Sequence, residues 1–245
     1  MISLAFDTSS SLGSVALGDG EGGVLARRFL RERGAHASGL IPAIRDVLQD
    51  AGVARSSVER VVVGAGPGSF TGLRVAAATA KGLVRSLEIP LWAVSSLAAG
   101  AVTDRLRIPG LDPPTTELRD MELPRFVLFD ARSDRIYGAC YRITNGGLEV
   151  LRAPFPGRLE EVLRSDLPRG VLFCGGGARR HQDRVEAAGF RVLPAPAGIP
   201  TADALLRVVA LDGDGGGTIE EVESPGRWEP QYLRAWKPDR ERRAG

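Results

Sequence analysis

Glycine at 64, 66, 68 and 72, with Ser69 and Thr71 between, marks the stretch of this chain whose backbone could approach another group closely. Val61-Val62-Val63 precedes it, an uninterrupted β-branched run that predicts a buried strand. Leu73–Leu87 follows, proline-free and rich in alanine and leucine, which predicts a helix with Ser69 or Thr71 as its N-cap. Strand, glycine loop and helix present free backbone N–H groups to an anion. Yet neither familiar phosphate signature is met. A Walker loop closes on Gly-Lys-Ser/Thr where this one reads Thr71-Gly72-Leu73; a dinucleotide fingerprint fails because Gly64 leads to Ser69 and Gly66 to Thr71.

The rest of the chemical inventory is thin. A serine-nucleophile elbow at Ser69 would need glycine at 67 and 71, where Pro67 and Thr71 stand. Two histidines four apart on one helix face would hold a metal, but Leu40 follows His36 and Val185 follows His181 at that spacing. His36 at a helix start therefore reads as a capping or interface residue, and no metal site is expected. Cys140 and Cys174 lie in apolar runs without Cys-x-x-Cys spacing, as buried free thiols of a reducing cytoplasm do. Asp7 and Asp130 each end a short apolar strand, Ile2–Asp7 and Phe126–Asp130. Acids at strand ends are common turn formers.

The 245 residues suffice for one large domain or two smaller ones. No stretch approaches the roughly 20 apolar residues of a membrane span, and Met1-Ile2-Ser3-Leu4 lacks a basic signal region, so a cytoplasmic location is expected. Net charge is only +2 although arginine is abundant and Lys81 and Lys237 are the only lysines. That balance does not describe a free-standing RNA-binding protein.

Taken in order, the elements that must position these residues repeat. Three strands (Ile2–Asp7, Gly13–Leu17, Val24–Arg31) form a meander, and Leu40, Ile41, Ile44, Val47, Leu48 and Ala51 recur at helical spacing. The strand, glycine loop and helix come next, then a strand Ile89–Val94 and a short helix capped by Ser95. After an irregular stretch the pattern returns: Phe126–Asp130, Ile136–Ile143, Leu148–Leu151, a helix from Leu159, and Val171–Cys174 running into Gly175-Gly176-Gly177 and a polar helix Arg179–Ala188. This is an internal duplication of a three-layer α/β unit with a mixed sheet. The expected units are 1–102 and 125–236, joined by a linker 103–124, with a tail 237–245 expected to be disordered. The helix at 202–211 should cross back to the first unit.

Two such units resemble the actin, Hsp70 and sugar-kinase superfold, the duplicated ribonuclease H-like ASKHA architecture. The string Gly66-Pro67-Gly68-Ser69-Phe70-Thr71-Gly72-Leu73-Arg74 narrows this. With Asp7-Thr8-Ser9, His36 with Leu40 and Pro42, Asp130-Ala131-Arg132 and Tyr232-Leu233-Arg234, it resembles the bacterial TsaB (YeaZ) family. The resemblance implies a non-catalytic accessory subunit of a TsaD-like enzyme, which makes N6-threonylcarbamoyladenosine at tRNA position 37. TsaD would supply the metal, held by a His-x-x-x-His helix, and a TsaE-like subunit the ATPase. No cofactor would be bound tightly by this chain, tRNA would be met mainly through the complex, and a homodimer could form without the partner. In the superfold, Asp7, Ser9 and Asp130 stand where magnesium and phosphate are held, so a weak nucleotide contact stays open. The turn Thr8-Ser9-Ser10-Ser11-Leu12, however, lacks the glycines that wrap a phosphate. The rival reading is a stand-alone enzyme of this fold, a small-molecule kinase, ATPase or metallopeptidase-like protein.

The helix Leu73–Leu87 carries small residues and is apolar nearly all round, with Arg74, Ala78, Lys81 and Arg85 on one basic stripe. It should be covered by its own sheet on one side and by a partner on another. The expected interface residues are His36, Leu40, Ile44, Gly68, Ser69, Phe70, Thr71, Gly72, Arg74, Ala78 and Lys81. If Gly68 or Gly72 has positive φ, a side chain there would be strained.

Overall fold

The computed structural model describes residues 1–31, 35–105, 120–132, 134–144, 147–211 and 217–232. The first sheet begins with the meander β1 (Ser3–Asp7), β2 (Gly13–Gly18) and β3 (Val24–Leu30). Helix α1 (Ala35–Asp50) leads to β4 (Arg60–Gly66), and α2 (Phe70–Leu87) to β5 (Leu91–Ser95). β4 lies parallel to β1 and to β5. The uninterrupted valines of β4 have a simple cause, since both faces of the sheet are covered. Val61 and Val63 point into a core under α1 and α2, whereas Val62 points into a second core on the opposite face.

Helix α3 (Ser96–Val102), N-capped by Ser95, leads toward the second unit. Its sheet comprises β6 (Arg125–Asp130), β7 (Arg135–Thr144) and β8 (Gly147–Arg158) in a meander. After α4 (Leu159–Leu163) comes β9 (Leu172–Cys174), parallel to β6. The short helices α5 (Gly176–Arg180) and α6 (Gln182–Ala187) precede β10 (Arg191–Val192). The strand orders, β10-β9-β6-β7-β8 here and β5-β4-β1-β2-β3 in the first sheet, share the same duplicated plan. The core that Val62 enters also holds Val127, Tyr141 and residues of α3 and α7 (Ala202–Leu211), so the two sheets close on one another through these helices.

Three elements depart from the sequence reading. β8 runs to Arg158 rather than stopping at Leu151, although it contains Pro154 and Pro156. It is an edge strand, where proline need not donate to a second neighbour. The polar helix expected at Arg179–Ala188 is two short helices that meet at His181. Beyond α7, the strand β11 (Ile219–Glu221) pairs antiparallel with β5, so this segment adds to the first sheet instead of staying with the expected second unit. Asp104, in the expected linker, forms a fully buried ion pair with Arg125 of β6, whose Nη1 also donates to the Asp120 and Leu123 carbonyls. Residues 106–119 and the tail 237–245 lie outside the described residues.

Candidate functional site

The glycine loop is held from beneath by the turn after β1. The Ser69 N–H donates to the Ser9 carbonyl at 2.7 Å, and the Thr8 hydroxyl donates to the Gly72 carbonyl at 2.7 Å. Ser69 is the N-cap of α2, its hydroxyl accepting from the Gly72 N–H at 3.3 Å. A Cβ on Gly68 would overlap the Ser9 backbone, and one on Gly72 the Thr8 carbonyl oxygen. Neither glycine has positive φ; that conformation belongs to Gly66, at +95°. Close approach, rather than left-handed backbone, is therefore what requires glycine at 68 and 72. The loop wraps its own β1 turn where a phosphate loop would wrap an anion.

Asp7 lies inside this arrangement and is completely buried. One carboxylate oxygen accepts from the Ser9 N–H at 2.7 Å and the Ser9 hydroxyl at 2.6 Å; the other accepts from the Ser96 hydroxyl at 2.7 Å. Gly64 lies so close that a Cβ there would overlap the carboxylate. Asp7 and Ser9, the expected phosphate contacts, are both buried, and the Asp7 carboxylate is turned to protein donors, Ser9 among them. Asp130 is exposed and pairs with Arg180 at 2.6 Å, with the Arg132 N–H on its other oxygen at 3.0 Å. Asp7 is gripped by first-unit residues and Asp130 by second-unit residues. Two open grooves line β3 and the segment Glu220–Trp228, and neither is lined by Asp7, Ser9 or Asp130. Among the described residues, no cluster of His, Cys, Asp and Glu is arranged to hold a metal ion.

What does face outward is the N-terminal part of α2. Ser69, Thr71, Arg74 and Ala78 are exposed, and Phe70 is 59% exposed. The Arg74 guanidinium lies 4.9 Å from the Phe70 ring centroid, and the Tyr232 ring is tilted against Phe70 at 5.3 Å. Tyr232 belongs to a returning segment in which Trp228 is buried in the core under α1 and α2 and the Gln231 N–H donates to the Ala65 carbonyl at 2.8 Å.

The sequence matches, over residues 21–172, the family model described as TsaD: tRNA N6-adenosine threonylcarbamoyltransferase. It is 34% identical over 193 residues to the tRNA threonylcarbamoyladenosine biosynthesis protein TsaB of Bacillus subtilis, with 76% of each chain covered. The chain belongs to the TsaB family. The Escherichia coli TsaB is 27% identical across 96% of both chains. YeaZ from Pseudomonas aeruginosa shares the fold at a TM-score of 0.70 and 31% identity, covering 92% of this chain and 98% of that one. An uncharacterized protein with similarity to peptidase YEAZ from Pseudomonas aeruginosa reaches 0.74 at 31% identity, covering 95% and 99%. With the two mixed sheets described above, these likenesses establish the duplicated ASKHA-like architecture. No described helix is long and apolar enough to cross a membrane.

In this TsaB-family chain the expected interface set divides. Phe70, Arg74 and Ala78 share the outer face of α2 with Ser69 and Thr71 at its start. Leu40 and Ile44 do not join them, being buried in the chain's own core with Ala43 and Val47. The physical reason is that Leu40, Ala43, Ile44 and Val47 complete the apolar stripe that α1 lays on the sheet. Gly72 is buried and Gly68 half-buried, so both shape the loop from inside. Lys81 is half-buried and donates to the Gly226 carbonyl at 3.2 Å, which ties α2 to the returning segment. His36 lies in the first turn of α1, and its side chain is outside the described residues.

Ile41, 56% exposed, and its neighbour Pro42 were missed as surface residues. Their position one step off the Leu40–Ile44–Val47 stripe was the available signal. Tyr232 was noted only as part of a motif, and no local pattern pairs it with Phe70, 162 positions earlier in the chain.

Proposed function

We propose that this chain is a non-catalytic subunit of a tRNA threonylcarbamoyladenosine-forming complex and docks on a TsaD-like catalytic protein through the outer face of α1 and α2. The observation that carries the reading is the exposed apolar and aromatic surface of this helical layer: Ile41 and Pro42 on α1, Phe70 and Ala78 on α2, with Arg74 stacked on Phe70. Exposed large apolar side chains are scarce among the described residues, and two of the four lie on these adjacent helices. Small Ala78 and exposed Gly82 leave room for another helix to approach closely. Burial of Asp7 and Ser9 supports a supporting rather than a nucleotide-handling role, since both Asp7 carboxylate oxygens face protein donors, two of them on Ser9. The TsaD-like partner supplies the metal and the transfer chemistry in this reading, and a TsaE-like ATPase acts on the assembled pair. tRNA is engaged mainly through the complex.

The test is to assay threonylcarbamoyl transfer to tRNA with this chain alone, with the TsaD-like protein of the same genome alone, and with both, the other components of the reaction being supplied throughout. Activity that requires the mixture supports the subunit role. Transfer, or robust magnesium-dependent ATP hydrolysis, by this chain alone overturns it.

A further inference from the structure

We infer that Asp7 is a positioning residue for the glycine loop that leads into the docking helix α2, its carboxylate fixing both ends of the Gly66–Ser69 segment through two serines. On one side, Oδ1 accepts the Ser9 N–H at 2.7 Å and the Ser9 hydroxyl at 2.6 Å, and the Ser9 carbonyl in turn accepts the Ser69 N–H at 2.7 Å. On the other, Oδ2 accepts the Ser96 hydroxyl at 2.7 Å, and the Ser96 Oγ accepts the Gly66 N–H at 3.1 Å. The first arm ends on the N-cap of α2, one residue before Phe70; the second ends where β4 breaks into the loop. Asp7, Ser9 and Ser96 are all buried, so water does not compete for these bonds. Ser96 is the first residue of α3 and Asp7 the last of β1, so the clamp gathers three elements that converge from distant parts of the chain.

The strand-end acid has thereby a use independent of nucleotide. The clamp uses both carboxyl oxygens as acceptors, one for each arm. Asparagine matches its shape but presents an amide N–H on one side, so one arm loses its acceptor whichever way the amide is turned.

This inference rests on the docking role proposed above, and its test separates the two. Asp7→Asn and Ser96→Ala are compared with the wild type for amide hydrogen exchange, for affinity toward the TsaD-like protein and for binding of magnesium-ATP. Val185→Ala, a core change in α6 of the second unit, serves as a control for general loss of stability. The expected result is exchange at the Gly66 and Ser69 amides faster by about tenfold or more, and partner affinity lower by about tenfold, as befits the loss of a buried hydrogen bond. The control leaves both readings unchanged, and magnesium-ATP binding does not separate Asp7→Asn from the wild type. If Asp7→Asn does not fold, Ser96→Ala breaks the second arm alone and gives the same readings at Gly66. Unchanged loop exchange and affinity overturn the inference, as does a selective loss of nucleotide binding in Asp7→Asn. Should the wild type not bind the partner, the docking role fails, while the exchange measurement still decides whether Asp7 holds the loop.

Discussion

Thr8 and Gly72 meet face to face: the Thr8 hydroxyl donates to the Gly72 carbonyl at 2.7 Å, and the Gly72 α-carbon lies so near the Thr8 carbonyl that no Cβ fits between them. The obstruction is backbone, so no side-chain rotation relieves it. Gly72→Ala must therefore push the first turn of α2 away from β1. The expected outcome is a stability loss of about 1–3 kcal/mol, as for other overpacking substitutions, measured by denaturant unfolding. Gly82, with open space around its α-carbon, is the internal contrast. Gly82→Ala should stabilise the isolated chain by about 0.5–1 kcal/mol through helix propensity. Equal effects at the two positions would contradict the close-approach reading.

Leu40 and Phe70 stand on neighbouring helices but have different roles. Leu40→Ala removes a fully buried side chain and should cost about 2–5 kcal/mol of folding stability. Phe70→Ala gives up one exposed aromatic pair with Tyr232, worth about 0.5–1.5 kcal/mol, and should instead weaken partner binding about tenfold or more. Urea denaturation and calorimetric titration of the complex separate the two effects. A Phe70→Ala chain that binds normally would remove this residue from the docking face.

The two thiols predict an alkaline weakness. Burial pushes both Cys140 and Cys174 up to about 12, with Arg142 and Arg152 opposing the shift at Cys140 and Asp104 adding to it at Cys174. A thiol in the unfolded chain ionises near 8.5. Between those values the folded state holds protons that the unfolded state has lost, so stability falls as pH rises. The contribution is full below about pH 8.5 and disappears toward pH 12. Replacing both cysteines with alanine should flatten the decline in Tm between about pH 9 and pH 11. A slope identical to the wild type's would mean the thiols are not protected by the fold.

The site was legible in the sequence where local patterns decide. Val61–Val63, the Ser69 cap and the alanine-rich run specify strand, loop and helix almost residue by residue, and the Arg74–Ala78 stripe is exposed as helical spacing requires. Local pattern also left the surroundings of Leu40 and Ile44 open. Apolar spacing identifies a stripe that must be buried but not whether the chain's own sheet or a partner buries it; here it is the sheet. Asp7 was ambiguous for a related reason. A strand-end acid faces solvent or protein according to what comes near it, and Ser96 lies 89 residues away. The β5–β11 pairing is equally non-local, joining Ala93 to Glu220 with no periodic signal in the short strand.

The docking claim meets its most direct test in light scattering on the chain mixed with the TsaD-like protein, comparing the wild type with Ala78→Glu. Ala78 is exposed in the middle of α2, so a glutamate there is solvated in the isolated chain, and its Tm should match the wild type's within a few degrees. In a closely packed helical interface the same carboxylate is buried without a partner, at a cost of several kcal/mol. The predicted result is a stoichiometric complex with the wild type and none with Ala78→Glu at micromolar concentrations. A complex of the same mass and affinity with both proteins would contradict docking through this face of α2.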